Sequence, residues 1–241
     1  YKRQDLICTP ECSNIITNDK KYLFNHTTFQ KNCPIIFEAK EFAKLHDVNI
    51  HLGSLLLKVE GKKKLVNRSI LINRKGKIKA SYDKIHLFDV IVNNKTYSES
   101  SYIEPGSKPV SVQTPWFKLG LSICYDVRFP ELYRSKTYQD IDLIVVPAAF
   151  TAETGQAHRQ TLLTSRAIEN LCYDLASAQW GENYGQRRTY GHSMIVDPWG
   201  EVKDLLPTGN GVVSSEINLE LIAETREKFP ALSHRKIKIN D

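Results

Sequence analysis

The chain has 241 residues, of which 41% are hydrophobic and 25% are charged, and its formal net charge is +6. These proportions are ordinary for a globular protein and exclude a fibrous or intrinsically disordered chain. No apolar run is long enough to cross a bilayer, so we expect no membrane association. The basic runs at residues 62–64 and 234–238 have no interleaved aromatic side chains, so we expect no nucleic acid partner.

The cysteine content indicates reduced thiols. Five cysteines are an odd number in a chain of this size, which argues against a disulfide framework. We therefore expect a cytoplasmic protein, or a mitochondrial one if a targeting segment precedes the first residue. No second pair of cysteines or histidines stands at zinc-like spacing from Cys8 and Cys12, so we expect no metal site. The five are Cys8, Cys12, Cys33, Cys124 and Cys172.

Predicted strands and helices alternate along the chain. Residues 6–8 form a short apolar strand that leads directly to Glu11, and the apolar spacing of Pro34–His46 predicts an amphipathic helix. Because hairpins are interposed between these elements, the pattern predicts an α/β fold with a mixed sheet. The other predicted elements are the strand 48–56, the hairpin of 65–73 and 77–82, the strands 117–123, 141–146 and 173–178, a helix from Pro130, a helix at about 157–171, the hairpin within 193–202 and a last helix at 219–228.

The domain organisation follows from this order. We find no internal repeat and no linker, so we expect a single domain over residues 1–241. A buried central strand seldom opens an α/β domain without a preceding helix. We therefore expect that an N-terminal strand and helix of the same domain precede the given sequence.

Cys124 is the first candidate for chemistry. It follows the predicted strand 117–123 and precedes the helix that starts at Pro130, so it lies at a strand-to-helix corner. Such a corner exposes a side chain and directs the next backbone N–H groups, that of Tyr125 above all, toward the same space. The alternative interpretation is a buried structural cysteine, which is the common fate of this residue type.

A nucleophilic thiol needs a base. Histidine is the usual partner, and His86, His158 and His192 all fall near predicted loops. A carboxylate with an adjusted pKa can do the same work, and Glu11 lies just after a strand, where open α/β sheets carry their chemistry. The sequence leaves both possibilities open. Lys84 follows the predicted hairpin and becomes a candidate oxyanion stabiliser only in combination with such a pair.

Four segments of the chain resemble the Glu-Lys-Glu-Cys signature of the nitrilase, or carbon-nitrogen hydrolase, superfamily, in the order of that family. The similarity continues through residues 166–169, 172–173 and 190–200, so it covers nearly the whole chain. The four segments are residues 9–12 (TPEC), 82–89 (YDKIHLFD), 97–100 (YSES) and 121–132 (LSICYDVRFPEL).

The resemblance implies a fold and a mechanism. The fold would be a four-layer αββα sandwich with mixed sheets, paired into a homodimer or larger homo-oligomer. Cys124 would be the nucleophile, Glu11 the general base and Lys84 the oxyanion stabiliser, assisted by the Tyr125 N–H group. Glu99 would position Lys84 or the substrate amide, and no metal or organic cofactor would take part.

Within the superfamily the segments are most similar to the deaminated glutathione amidases. The resemblance implies hydrolysis of a small carboxylated amide through a cysteine thioester, for which we expect ammonia release. The alternatives are an ω-amidase acting on α-ketoglutaramate and a catalytically idle scaffold. We expect Arg128, His158 or Arg159 to contact the substrate, although Arg159 stands where the family usually carries Trp. The alternative for Arg128 is an internal salt bridge with Glu131 or Asp126.

Overall fold

A computed structural model gives the fold and describes residues 4–184 and 187–237. Lys238, the last member of the basic run 234–238, lies outside the described residues. The helices are α1 (Lys20–His26), α2 (Pro34–His46), α3 (Pro130–Arg134), α4 (Ala152–Asn170) and α5 (Leu219–Lys228). The strands are β1 (Leu6–Cys8), β2 (Asn49–Lys58), β3 (Leu65–Ile72), β4 (Ile78–Asp83), β5 (Asp89–Val92), β6 (Lys95–Ser98), β7 (Val110–Gln113), β8 (Lys118–Leu121), β9 (Leu143–Val145), β10 (Tyr173–Ala176), β11 (Trp180–Asn183), β12 (Arg187–Tyr190), β13 (Ser193–Val196) and β14 (Val202–Leu206).

The first sheet has four strands in the order β1-β2-β3-β4. β1 pairs with β2 in parallel, whereas β2, β3 and β4 pair antiparallel. It follows that β1 and β4, the two edge strands, point the same way, so their carboxyl ends lie at the same end of the sheet. Glu11 and Lys84 both come after those ends.

The second sheet has six strands in the order β14-β13-β10-β9-β8-β7. The three central strands are parallel, and the outer pairs are antiparallel. Central strands covered on both faces need continuous apolar sequence, and Leu143–Val145 is completely buried. Both sheets taken together are mixed, as the sequence predicted.

The two sheets pack face to face, with helices on their outer sides. Alternation along β3 connects the layers: Ile70 and Ile72 face α2, while Leu71 joins the core of the second sheet. On the far side Leu163 of α4 completes that core. Burying each such side chain stabilises the fold by about 1.5–3 kcal/mol. The order helix, sheet, sheet, helix is the αββα sandwich.

Predicted and observed elements agree closely in the sheets and for two helices. Strand β1 and the helices α2 and α5 have the predicted bounds. Helix α4 begins five residues before the predicted start at 157, because the Thr151 side chain accepts a hydrogen bond from the Thr154 N–H group and caps the helix there. The sequence did not indicate helix α1, strand β7 or the hairpins β5-β6 and β11-β12.

Neither a membrane-spanning helix nor a metal-binding group of side chains occurs in the part of the chain that the structure describes. No helix in residues 4–184 and 187–237 is both long and apolar enough to cross a membrane. In the same residues, no group of three His, Cys, Asp or Glu side chains is arranged to hold a metal ion.

Candidate active site

A bulge in β2 positions Glu11. The pairing of β2 with β3 shifts register between Leu52 and Leu55. At Gly53 an added Cβ atom would lie 1.9 Å from the Thr9 carbonyl oxygen, so only glycine permits this approach. The next residue, Ser54, accepts a hydrogen bond from the Cys12 N–H group at 2.9 Å. The turn that carries Glu11 is therefore fixed against β2.

Glu11, Lys84 and Glu99 form one buried charged group. The Lys84 Nζ atom donates to Glu11 Oε1 at 2.9 Å and to Glu99 Oε2 at 2.9 Å. Glu11 Oε2 accepts a hydrogen bond from the Ala149 N–H group at 2.8 Å, and Glu99 Oε2 accepts one from the Phe88 N–H group at 2.7 Å. Each of the four carboxylate oxygens of Glu11 and Glu99 thus accepts a hydrogen bond, as buried charges require.

Asn67, the first residue of an Asn-x-Ser/Thr sequence at 67–69, also belongs to this group, and the sequence did not predict it as a site residue. Its Nδ2 atom donates to Glu11 Oε1 at 2.9 Å and to Glu99 Oε1 at 3.3 Å. The side chain is 1% exposed, on strand β3 between the two glutamates. A polar residue in an otherwise apolar strand was the available signal, since a buried amide needs partners.

Cys124 lies opposite Glu11 at the end of β8. Its φ angle of +50° turns the chain sharply into a short 3-10 helix, Cys124–Arg128. This conformation is strained for a residue with a side chain, and such strain is often found at functional sites. The thiol lines the same cavity as Glu11 and Ala149, and the charge of the Glu11 carboxylate acts on it.

Asp126 holds the Cys124 turn in place. Its Oδ2 atom accepts hydrogen bonds from the Ile123 N–H group at 2.9 Å and the Tyr82 hydroxyl at 2.7 Å. Its Oδ1 atom lies 2.7 Å from His86 Nδ1 and accepts a hydrogen bond from the His86 N–H group. The turn is thereby fixed to the chain around strand β4, and His86 is engaged by Asp126.

The electrostatics favour a neutral thiol beside an ionised carboxylate. Burial raises the pKa of the Cys124 thiol, and the Glu11 carboxylate raises it further. Burial also opposes the charge of Glu11, but the Lys84 ammonium and Arg187 outweigh it, so the pKa of Glu11 lies below its ordinary value. Burial opposes the charge of Lys84 as well, yet Glu11 and Glu99 raise its pKa well above normal.

A cavity of about 490 Å³ opens onto these side chains. Glu11, Lys84, Glu99, Cys124 and Tyr125 all line it. Part of the cavity wall comes from elements that the sequence did not indicate, namely α1, strand β6 and strand β12. Its other charged lining residues are Lys20, Lys95, Glu153, Arg187 and Arg188.

The three side chains predicted to contact the substrate do not line this cavity. Arg159 is completely buried, and its guanidinium donates to the carbonyl oxygens of His192 and Ala176 at 3.1 and 3.0 Å. Arg128 lies 3.2 Å from the exposed His158 ring and stacks 5.6 Å from the Phe150 ring centroid. The position of Arg159 inside the core corrects the expectation that it meets the substrate.

Known proteins share this arrangement of strands and helices. A sequence model described as carbon-nitrogen hydrolase matches residues 1–227. The deaminated glutathione amidase of Dictyostelium discoideum is 38% identical over 241 residues, which is 97% of this chain and 83% of that protein. The chain therefore belongs to the carbon-nitrogen hydrolase family.

Further carbon-nitrogen hydrolases support this assignment. The deaminated glutathione amidase of Synechocystis sp. (strain PCC 6803 / GT-S) is 43% identical over 89% of this chain and 82% of its own length. The crystal structure of the Caenorhabditis elegans NitFhit protein superposes with a TM-score of 0.87 at 37% identity, covering 96% of this chain and 57% of that one. The predicted superfamily and its reaction class, hydrolysis of a carbon–nitrogen bond, are confirmed.

Proposed function

We propose that the protein hydrolyses the amide bond of deaminated glutathione, with Cys124 as its nucleophile. The observation that supports this most strongly is the meeting of Glu11, Lys84, Glu99 and Cys124 in one cavity, from four separate parts of the chain. The similarity to two proteins named deaminated glutathione amidase supports the choice of substrate.

The first half of the proposed reaction forms a thioester. Glu11 takes the thiol proton while the Cys124 sulfur attacks the amide carbon, because the raised thiol pKa makes a resting thiolate unfavourable. Lys84 and the Tyr125 N–H group stabilise the oxyanion, a contact worth roughly 100- to 1000-fold in rate. The C–N bond then breaks, and Glu11 gives the proton to the leaving nitrogen.

The second half releases the acid. A water molecule gives a proton to Glu11 and attacks the thioester carbon, after which the C–S bond breaks and the sulfur recovers the proton. Glu99 touches Lys84 and not the proposed reacting atoms, so we assign it a positioning role. These steps need no redox change, and each proton that Glu11 accepts is returned.

The leaving group depends on the amide. In glutathione the side-chain carboxyl of glutamate is joined to cysteinylglycine, so the deaminated compound is a secondary amide. Its hydrolysis releases the amine of cysteinylglycine and a five-carbon oxo diacid. Ammonia, which the sequence analysis anticipated, is the product only from a primary amide such as α-ketoglutaramate.

The deciding experiment measures both kinds of product. Purified protein is incubated with deaminated glutathione, α-ketoglutaramate and glutamine, and the release of cysteinylglycine and ammonia is followed. We expect fastest release from deaminated glutathione, with Cys124→Ala inactive and Lys63→Gln, an exposed substitution, fully active. Preference for α-ketoglutaramate would instead identify an ω-amidase.

A thiol label separates an inactive scaffold from an enzyme with another substrate. We expect iodoacetamide to modify Cys124 and deaminated glutathione to protect it. A folded protein that hydrolyses none of the three amides and gains no protection from them would contradict the proposed function.

We also propose a homo-oligomer in a reducing compartment such as the cytoplasm. The five cysteines are all free, which suits a reducing compartment. Helix α2 leaves Phe37 and Leu45 with 66% and 79% of their surface exposed, so an apolar face is available for contact with a second copy. Light scattering of the purified protein measures the mass, and a monomer at working concentration would contradict the oligomer.

A further inference from the structure

Arg187 is a cation in the cavity wall that the proposed reaction does not use. It opens strand β12 and lines the cavity together with Glu11 and Cys124. Its Nε atom is shielded from solvent and has no hydrogen-bond acceptor among residues 4–184 and 187–237. A solvent-shielded atom cannot itself meet an incoming molecule, but the Nη groups of the same guanidinium form no hydrogen bond or ion pair with the described residues, so they can donate to an acceptor in the cavity that Arg187 lines.

The other cations of the cavity are engaged or exposed. Lys84 donates to both Glu11 and Glu99. Lys20 donates to the Ser101 hydroxyl at 2.7 Å on the surface. Lys95 and Arg188 are exposed, so water screens their charges. Arg187 is therefore the inner cation with donor capacity to spare in the part of the cavity wall that the structure describes.

Arg187 is not an ion-pair partner of the two glutamates. No ion pair within 4.0 Å joins it to Glu11 or Glu99, both of which already pair with Lys84. Burial disfavours its charge, but Cys12, Tyr102 and the two glutamates together raise the pKa of Arg187. The half-buried Arg187 thus stays charged in the cavity wall, and a planar guanidinium can bind a carboxylate through two hydrogen bonds.

We infer that Arg187 is a specificity-determining residue that binds the carboxylate at the far end of the substrate's acyl part, an assignment that rests on the proposed function. The position of Arg187 within the cavity indicates that it binds the acyl part of the substrate and not the leaving part. The acyl group stays bonded to Cys124, which is buried, whereas Arg188 and Lys95 are exposed and line the solvent side of the cavity, where we place the leaving amine. A carboxylate on the leaving part would meet those cations instead.

The first test compares a carboxylate with its neutral analogue. Hydrolysis of α-ketoglutaramate and of its methyl ester is measured for wild type, Arg187→Gln and Arg187→Lys, with Lys63→Gln as a matched loss of one exposed charge. We expect Arg187→Gln to raise the ratio of the KM for the carboxylate to the KM for the ester roughly 10- to 100-fold, because the loss of its effect on Glu11 acts on both substrates alike and cancels in this ratio. We expect Arg187→Lys to recover part of the lost affinity for the carboxylate. If the Gln variant does not fold, the Lys variant alone tests the proposal.

The second test does not depend on amide hydrolysis. Cys124 is alkylated with 5-chloro-4-oxopentanoate or its methyl ester; sulfur displaces chloride from the CH₂Cl carbon, and the thiol proton is released. We expect wild type to react faster with the carboxylate reagent, and Arg187→Gln to lose most of that preference, with Lys63→Gln unchanged.

The proposed function and the proposed role of Arg187 can fail independently of each other. If wild type hydrolyses no oxo amide, the proposed function fails, and the alkylation preference still judges Arg187. If wild type hydrolyses the amides but Arg187→Gln keeps the full preference for the carboxylate in both tests, the assignment of Arg187 is overturned and the proposed function stands.

Discussion

The Nζ atom of Lys84 lies 2.9 Å from the Oε1 atom of Glu11, in a site where each residue is only 2% exposed. Neither charge would be stable there alone, because removing an ion from water costs several kcal/mol. Glu99 supplies a second carboxylate to Lys84, and Asn67 connects the two glutamates. Any substitution in this group therefore alters the protonation of its neighbours.

Replacing Glu99 with Gln removes one negative charge from Lys84. The pKa of Lys84 falls, because Glu99 is one of the two carboxylates that raise it. We expect kcat to fall roughly 100-fold, as for other losses of oxyanion stabilisation. We also expect the alkaline limb of the kcat profile to move to lower pH, since Lys84 then loses its proton more readily.

The kcat profile of Glu99→Gln is to be compared with that of Glu104→Gln, which removes a surface carboxylate paired with Lys62. The control should match wild type. An alkaline limb that stays in place in Glu99→Gln would show that Glu99 does not act through Lys84.

Asn67→Leu tests the acid limb. Glu11 must be ionised to take the thiol proton, so activity falls as pH decreases through its lowered pKa. Asn67 donates to the charged carboxylate and stabilises it. Without that donor the pKa of Glu11 rises, and we expect the acid limb of kcat/KM to move to higher pH. Asn25→Leu, at an exposed asparagine of the same sequence motif, is the control and should leave the limb unchanged.

The main layers of the fold could be predicted because their residues repeat with a clear period. Continuous apolar strands such as Leu143–Val145 and the spacing of Pro34–His46 indicate buried elements directly. The hairpins around the cavity have short strands with few buried side chains; in Lys95–Ser98 three of four residues are exposed. Their position depends on contacts with the rest of the chain, so no local spacing of apolar residues predicts them.

The residues of the site also fall into those that the sequence predicted and those that only the fold identifies. Glu11, Lys84, Glu99 and Cys124 occur in segments whose resemblance to a known family identified them, and the structure brings them together. Arg187 is one of 33 lysines and arginines, and only the fold distinguishes it. Arg159 was misread because a basic residue in a polar helix is normally exposed, whereas this one points into the core.

Arg159→Met separates stability from substrate choice. The variant leaves the carbonyl oxygens of Ala176 and His192 without their donors, so we expect a loss of about 1–3 kcal/mol in the free energy of unfolding. The preference for carboxylated over neutral amides should not change, because Arg159 does not line the cavity. Urea unfolding and the kcat/KM ratio for the two amides measure these effects, and a lost preference would return Arg159 to the binding site.

Asp174 is completely buried on β10, and its two carboxylate oxygens have no hydrogen-bond partner among the described residues. Burial raises its pKa well above the ordinary value, and the guanidinium groups of Arg159 and Arg166 counter this only in part. The folded state therefore holds a proton that the unfolded chain has already lost. The stabilising contribution is fully present below the unfolded pKa and disappears as pH rises toward the folded pKa.

Asp174→Asn removes this titration while keeping the shape of the side chain. We expect wild type to lose up to about 1.4 kcal/mol of stability per pH unit between the unfolded and folded pKa values. The variant should lack this slope and become the more stable protein at the upper end of that range. Urea unfolding from mildly acidic to neutral pH measures the difference, with Asp140→Asn as the exposed control. Parallel slopes for wild type and Asp174→Asn would show that Asp174 is ionised in the folded protein and that a neighbouring cation, Arg159 foremost, compensates its charge.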